Sequence, residues 1–90
     1  MISLIDDLRK EIDEIDEEIL NNLSKRKNLV REIAKLKKSI RLPVMDKDRE
    51  KNLLDNLKKK AKKIGLDEKF VGSLYGIILK NSREEQKNNG

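Results

Sequence analysis

The sequence predicts an all-α protein of three helices, with one long N-terminal helix. Apolar residues recur every three or four positions in three segments, as one face of an α-helix requires. Pro43 and Gly65 separate these segments. No stretch shows the two-residue alternation that is typical of a strand. Because the chain has 90 residues, we expect a single helical domain over 1–90.

The first predicted helix extends from about residue 4 to residue 40. Ser3 is its expected N-cap, with Asp6 and Asp7 in the first turn. Such a helix measures about 50 Å, whereas a compact globule of this size is about 30 Å across. It therefore overhangs its own domain, and we expect an intertwined homodimer. The apolar seam of its first half is formed by Ile5, Leu8, Ile12, Ile15, Ile19 and Leu23.

Two shorter helices are predicted after Pro43, over about 47–64 and 68–87. Asp46 and Asp67 are the expected N-caps, and Gly65 is the residue expected to end the second helix in a left-handed conformation. The expected inner faces consist of Leu53, Leu54, Leu57, Ala61 and Ile64 on the second helix and Phe70, Val71, Leu74, Ile77 and Ile78 on the third.

The composition excludes several kinds of chemistry. The chain has neither Cys nor His, which removes thiolate metal sites, a Cys nucleophile and the commonest general base. We expect no metal and no cofactor. No long apolar run and no signal-like start are present, so we expect a cytoplasmic protein without membrane contact.

Polar side chains interrupt the apolar face of every predicted helix. Any one of them could reach solvent or pair with a neighbouring charge, and Asp46 is explained fully as a cap. Together they indicate a cationic pocket, and several guanidinium groups suit a ligand with more than one carboxylate. The interrupting residues are Arg26 and Lys37 on the first helix, Arg49 and Glu50 on the second, and Ser82 and Gln86 on the third, with Arg9 at the edge of the seam.

The spacing of Arg9, Arg26, Lys37, the segment from Pro43 to Glu50, Ser82 and Gln86 resembles the all-helical chorismate mutases. The resemblance covers nearly the whole chain. It implies an intertwined homodimer that converts chorismate to prephenate by a Claisen rearrangement, on the route to phenylalanine and tyrosine. That reaction needs no nucleophile, metal or proton transfer, so the missing His and Cys do not count against it.

The resemblance also implies a role for each matching residue. Arg26 and Arg49 would bind the substrate carboxylates, and Ser82 would assist one of them. Arg9 would reach this site from the other chain of the dimer.

The remaining implied contacts concern the ring hydroxyl and the ether oxygen. Glu50 and the backbone N–H of Asp46 would hold the hydroxyl, while Lys37 and Gln86 would contact the ether oxygen. The implied catalytic residues are thus Lys37, Gln86 and Arg26.

Two other functions remain open on the sequence alone. An isochorismate pyruvate lyase shares this fold and a similar cationic pocket. A basic helical dimer that binds nucleic acid would use the Lys58–Lys63 cluster and the net charge of +5. We interpret that cluster as a solvated helix face and place the mutase first, with no nucleic-acid partner. Given the chain length, we expect no fused dehydrogenase or dehydratase and no feedback control within the chain.

Overall fold

A computed structural model describes residues 2–89, which form three helices and no strands. The helices are α1 (Ile2–Ser39), α2 (Lys47–Lys63) and α3 (Glu68–Asn89). The all-α prediction with one long N-terminal helix is therefore confirmed. The molecule is elongated, with extents of 58 × 25 × 15 Å.

The predicted N-cap of α1 is wrong. Ser3 lies inside the helix, which already includes Ile2, and no acidic residue stands in its first turn. The physical reason is that nothing between Ile2 and Asp6 breaks a helix. The preference of Ser for a cap is small beside the extra backbone hydrogen bonds that the longer helix makes.

The end of α1 is a Schellman motif built around Arg41. The backbone N–H of Leu42 donates to the carbonyl of Lys37 at 2.8 Å, and that of Arg41 donates to Lys38 at 3.3 Å. Arg41 has a φ of 59°, a conformation that favours Gly. The chain then turns through Pro43 toward α2.

The predicted cap residues of α2 occupy their expected places. Asp46 accepts a hydrogen bond from the backbone N–H of Arg49 at 3.0 Å. At the other end Gly65 has a φ of 80°, and the N–H of Leu66 donates to the carbonyl of Ala61 at 2.8 Å. Asp67 caps α3 in turn, since its carboxylate accepts from the N–H of Phe70 at 3.3 Å.

α3 lies between the other two helices and packs against both, whereas α1 and α2 make no comparable contact within residues 2–89. This arrangement corrects the predicted inner faces. Leu79 is buried on the same stripe of α3 as Val71, Ser82 and Gln86. Phe70, Leu74 and Ile77 lie on the neighbouring stripe, which the packing of α3 against α1 and α2 leaves exposed. Ile64 is also exposed. The buried apolar side chains of the described chain are Val30, Ala34, Ala61, Val71 and Leu79.

The seam on the first half of α1 stays largely exposed within residues 2–89. Its six apolar side chains, from Ile5 to Leu23, are 40–55% exposed. A continuous apolar surface of this length is unusual on a monomer. None of the helices between residues 2 and 89 has the length and apolarity that a membrane span needs.

Candidate active site

A cavity of about 200 Å³ opens where the second half of α1, the start of α2 and the end of α3 meet. Seven of the eight residues that the sequence indicates line this cavity. The lining residues are Arg26, Val30, Ile33, Lys37, Val44, Asp46, Arg49, Glu50, Leu53, Leu79, Ser82, Arg83 and Gln86.

Arg9 is the predicted residue that the structure places elsewhere. It precedes Arg26 by 17 positions on α1, which separates the two residues by about 25 Å along the helix axis. Its side chain is 73% exposed and lies 4.0 Å from the carboxylate of Asp6. Arg9 therefore does not reach the cavity of its own chain.

Lys37 links three parts of the chain at one side of the cavity. Its Nζ donates to the backbone carbonyl of Val44 at 2.8 Å and to Oε1 of Gln86 at 3.1 Å. Val44 belongs to the segment between α1 and α2. Sequence reasoning missed its part in the site, because a backbone carbonyl leaves no signal in the side-chain pattern.

Arg26 and Ser82 form a second link, between α1 and α3. A guanidinium N–H of Arg26 donates to Oγ of Ser82, and the Ser82 hydroxyl donates to the carbonyl of Ile78 at 2.9 Å. The hydroxyl is buried and its single proton is used inside the helix. In this arrangement Ser82 orients Arg26 and has no proton to offer a ligand.

The capped start of α2 brings Arg49 and Glu50 to the cavity. Asp46 fixes the first turn through its hydrogen bond to the backbone N–H of Arg49. Within residues 2–89 the Arg49 guanidinium makes no hydrogen bond or ion pair, and the backbone N–H of Asp46 donates to no group. Both donors belong to residues that line the cavity.

Glu50 is paired with Arg83, a residue that sequence reasoning missed. Nη1 of Arg83 donates to Oε1 of Glu50 at 2.5 Å, and the two side chains are only 27% and 18% exposed. The spacing held a signal, since Arg83 follows Leu79 by four positions and precedes Gln86 by three. The apolar face that the sequence predicts on α3 does not include Leu79, so the pattern does not point to Arg83.

A second ion pair between helices lies outside this cavity. Nε of Arg31 on α1 donates to Oε1 of Glu85 on α3 at 2.6 Å. Neither residue lines the cavity. Within the described chain no group of three or more carboxylates converges to form a metal site.

The sequence profile of the family described as "Chorismate mutase type II" matches residues 8–87. The chain belongs to this family. The match spans both the predicted polar residues and all three helices, so the family resemblance noted from the sequence is confirmed.

The chain is also similar to individual proteins whose names include chorismate mutase. A protein named "Chorismate mutase" from Methanocaldococcus jannaschii is 32% identical over 87 residues, which cover 97% of this chain and 88% of that protein. A "Bifunctional chorismate mutase/prephenate dehydratase" from Buchnera aphidicola (subsp. Baizongia pistaciae) is 40% identical over 88% of this chain and 21% of its own length. The Escherichia coli K12 protein of the same name is 36% identical over 83% of this chain and 19% of its own length. The chain thus spans about a fifth of the bifunctional relatives and most of the Methanocaldococcus jannaschii protein.

Proposed function

We propose that this chain is a chorismate mutase that converts chorismate to prephenate by a Claisen rearrangement, in the biosynthesis of phenylalanine and tyrosine. The observation that carries the proposal is the convergence of three cations and a Gln amide on one cavity, provided by Arg26, Lys37, Arg49 and Gln86. A substrate with two carboxylates and an ether oxygen needs this set of donors. Family membership supports the same reaction.

An enzyme accelerates a pericyclic rearrangement by positioning the substrate and by stabilising the charge that develops in the transition state. The substrate must be held in a compact conformation in which the atoms that form the new bond lie close together. As the C–O bond breaks, negative charge develops on the ether oxygen. Donors fixed beside that oxygen stabilise the transition state more than the ground state.

Lys37 and Gln86 are the pair that we assign to the ether oxygen. An ammonium group has three protons, and two of those on Lys37 are donated to Val44 and Gln86. The third proton remains for the substrate, at a direction fixed by the other two. Because Oε1 of Gln86 accepts from Lys37, its Nε2 is the group left to donate.

The substrate carboxylates are assigned to Arg26 and Arg49. The free guanidinium of Arg49 can offer two parallel N–H groups to one carboxylate. Arg26 is oriented by Ser82 and retains further N–H donors for the other carboxylate. Ser82 therefore assists through Arg26 rather than through its own proton.

The ring hydroxyl is assigned to Glu50 and the backbone N–H of Asp46. Oε1 of Glu50 is occupied by Arg83, so Oε2 is the oxygen that would accept the hydroxyl proton. The N–H of Asp46, at the start of α2, would donate to the hydroxyl oxygen. A hydroxyl both donates and accepts, which matches this pair of groups.

We further propose a homodimer in which each site receives Arg9 from the partner chain. The exposed seam between Ile5 and Leu23 provides an apolar surface for a second copy. Arg9 lies on this part of α1, far from its own cavity, so a second α1 crossing near the site would bring it there. A cytoplasmic location and the lack of a nucleic-acid partner stay predictions of the sequence.

The test is to add purified protein to chorismate, follow the loss of its ultraviolet absorbance and identify the product by chromatography. We expect prephenate, and we expect Arg26→Ala to lower kcat/KM by about 100-fold or more while the helical circular dichroism is retained. A folded wild-type protein that leaves chorismate unchanged would refute the proposal. Release of pyruvate from isochorismate in that case would move the function to the lyase.

A further inference from the structure

The Arg83–Glu50 ion pair joins α3 to α2 inside the cavity, and the functions assigned so far do not require it. Its N···O distance is 2.5 Å, and both side chains are more than two-thirds buried. An ion pair removed from water is stabilising only when its geometry is good and its remaining polar atoms find partners. The site therefore holds a desolvated charge pair that a purely apolar contact between the helices could replace.

The first consequence of the pair concerns where Glu50 points. Glu50 shares the cavity with the cations of Arg49 and Lys37, and a free carboxylate would be attracted to either of them. Such a contact would occupy a donor that the substrate needs. Arg83 contacts Oε1 of Glu50, so Oε2 is the oxygen left for a ligand, and the Arg49 guanidinium has no carboxylate partner within residues 2–89.

The second consequence concerns charge. The cavity is lined by four cations and two carboxylates, which leaves an excess of two positive charges in one chain. Arg9 of the partner chain, as proposed above, would add a third positive charge, and this excess attracts a dicarboxylate. Without Arg83 the excess falls by one, and Glu50 becomes a partly buried carboxylate with no fixed partner.

We propose that Arg83 is a positioning residue for the rearrangement: it holds Glu50 in the orientation that accepts the ring hydroxyl and keeps Glu50 away from Arg49. This inference rests on the proposed function, because it assigns a role to Glu50 with that substrate. Arg83 acts through Glu50 and does not touch the substrate. Its effect on catalysis must therefore disappear when Glu50 can no longer form the ion pair.

A double-mutant cycle tests this dependence. Arg83→Gln, Glu50→Gln and the double variant are compared with the wild type for kcat and KM with chorismate. We expect Arg83→Gln to lower kcat/KM by about 10- to 100-fold, mainly through KM, since the contact with the hydroxyl exists before the transition state. In the Glu50→Gln background the same change at position 83 should alter kcat/KM by less than about threefold.

Two further variants separate positioning from a general structural role. Arg83→Lys keeps the charge and should recover part of the lost activity. Arg31→Gln removes the similar α1–α3 pair with Glu85 outside the cavity and should keep wild-type kcat/KM. If circular dichroism shows that Arg83→Gln does not fold, Arg83→Lys replaces it in the double-mutant cycle and is measured with both Glu50 and Glu50→Gln.

Each result decides the question. An equal loss of kcat/KM from Arg83→Gln in both Glu50 backgrounds would show that Arg83 acts independently of Glu50. A kcat/KM of Arg83→Gln equal to that of the wild type would show that Arg83 has no role. An equal loss in Arg31→Gln would assign the effect to helix packing. Each of these outcomes overturns the inference while chorismate turnover by the wild type still supports the proposed function. A wild type that does not convert chorismate would refute both.

Discussion

The hydrogen bonds of Lys37 are the contacts that support the proposed chemistry most directly. Its ammonium group is fixed by acceptors on two different parts of the chain, the carbonyl of Val44 and the amide of Gln86. A charge held in this way needs little reorganisation when negative charge develops beside it. The same two contacts fix the direction of the third proton. In a lysine that rotates freely on the surface, that direction would not be fixed.

We predict that Lys37→Met lowers kcat by about 100- to 1,000-fold, because a fixed cation beside the developing charge is lost. Methionine keeps much of the apolar stem, so the helical circular dichroism should not change. Steady-state kinetics with chorismate measure the effect. Lys35→Met, an exposed position two residues earlier on the same helix, is the matched control. Comparable turnover by both variants would remove Lys37 from the role assigned to it.

Gln86→Glu provides a pH-dependent test of the second donor. A carboxyl group can donate a hydrogen bond to the ether oxygen only when protonated, and the reference pKa of a glutamate side chain is about 4.3. We therefore expect the kcat/KM of the variant, divided by that of the wild type at the same pH, to rise as the pH falls from about 7 to about 5. A ratio that is independent of pH would exclude donation by Gln86.

Some of the candidate site could be predicted from single residues and some could not. The sequence predicts Arg26, Lys37, Ser82 and Gln86 because each interrupts an apolar face, a property that can be read along one helix. Whether Arg83 lies at the cavity depends on how α3 is rotated about its axis between α1 and α2. The sequence alone does not determine this rotation. Contacts that join separate helices require the packed structure.

At the scale of elements, the helices and the breaks between them follow from local chemistry. Asp46, Pro43 and Gly65 act within one or two turns, so their effects could be predicted without the fold. The N-cap predicted at Ser3 is wrong because the preference of Ser for a cap competes with further helix elongation, and elongation is more favourable here. The inner face of α3 was misjudged because it depends on which neighbours pack against it, which is a tertiary property.

The C-terminal end of α1 makes a prediction about stability. Arg41 occupies the left-handed position of a Schellman motif with a φ of 59°, which costs a non-glycine residue about 1–2 kcal/mol. Arg41→Gly removes this strain and adds freedom to the unfolded chain, so we expect a net gain of about 0.5 kcal/mol. Denaturant unfolding followed by circular dichroism measures the change.

Gly65→Ala is the opposing control for Arg41→Gly. Gly65 occupies the same position at the end of α2 with a φ of 80°, and an added Cβ would meet no atom within 4 Å. Backbone strain is then the main effect, and stability should fall by about 1 kcal/mol. Loss of stability in both variants would show that the strain at Arg41 is offset elsewhere.

At the scale of the whole molecule, a single chain has too little core for its apolar surface. Five apolar side chains are buried within the described residues, whereas the seam of α1 from Ile5 to Leu23 remains 40–55% exposed. Burial of that seam against a second chain, as proposed, would supply apolar stabilisation that one chain lacks. Stability and completion of the site would then depend on the same contact, because Arg9 lies on the helix that carries the seam.

Complementation between two inactive variants tests this shared site. We expect Arg9→Ala and Arg26→Ala each to have very low activity alone, since every site in either homodimer lacks one arginine. Co-expressed chains should regain about a quarter of wild-type activity, because half of randomly mixed dimers are heterodimers and each has one intact site. Sedimentation confirms that all samples are dimers, and tagged chains allow the heterodimer to be purified. If the purified heterodimer is as inactive as its parents, then Arg9 does not act across the interface.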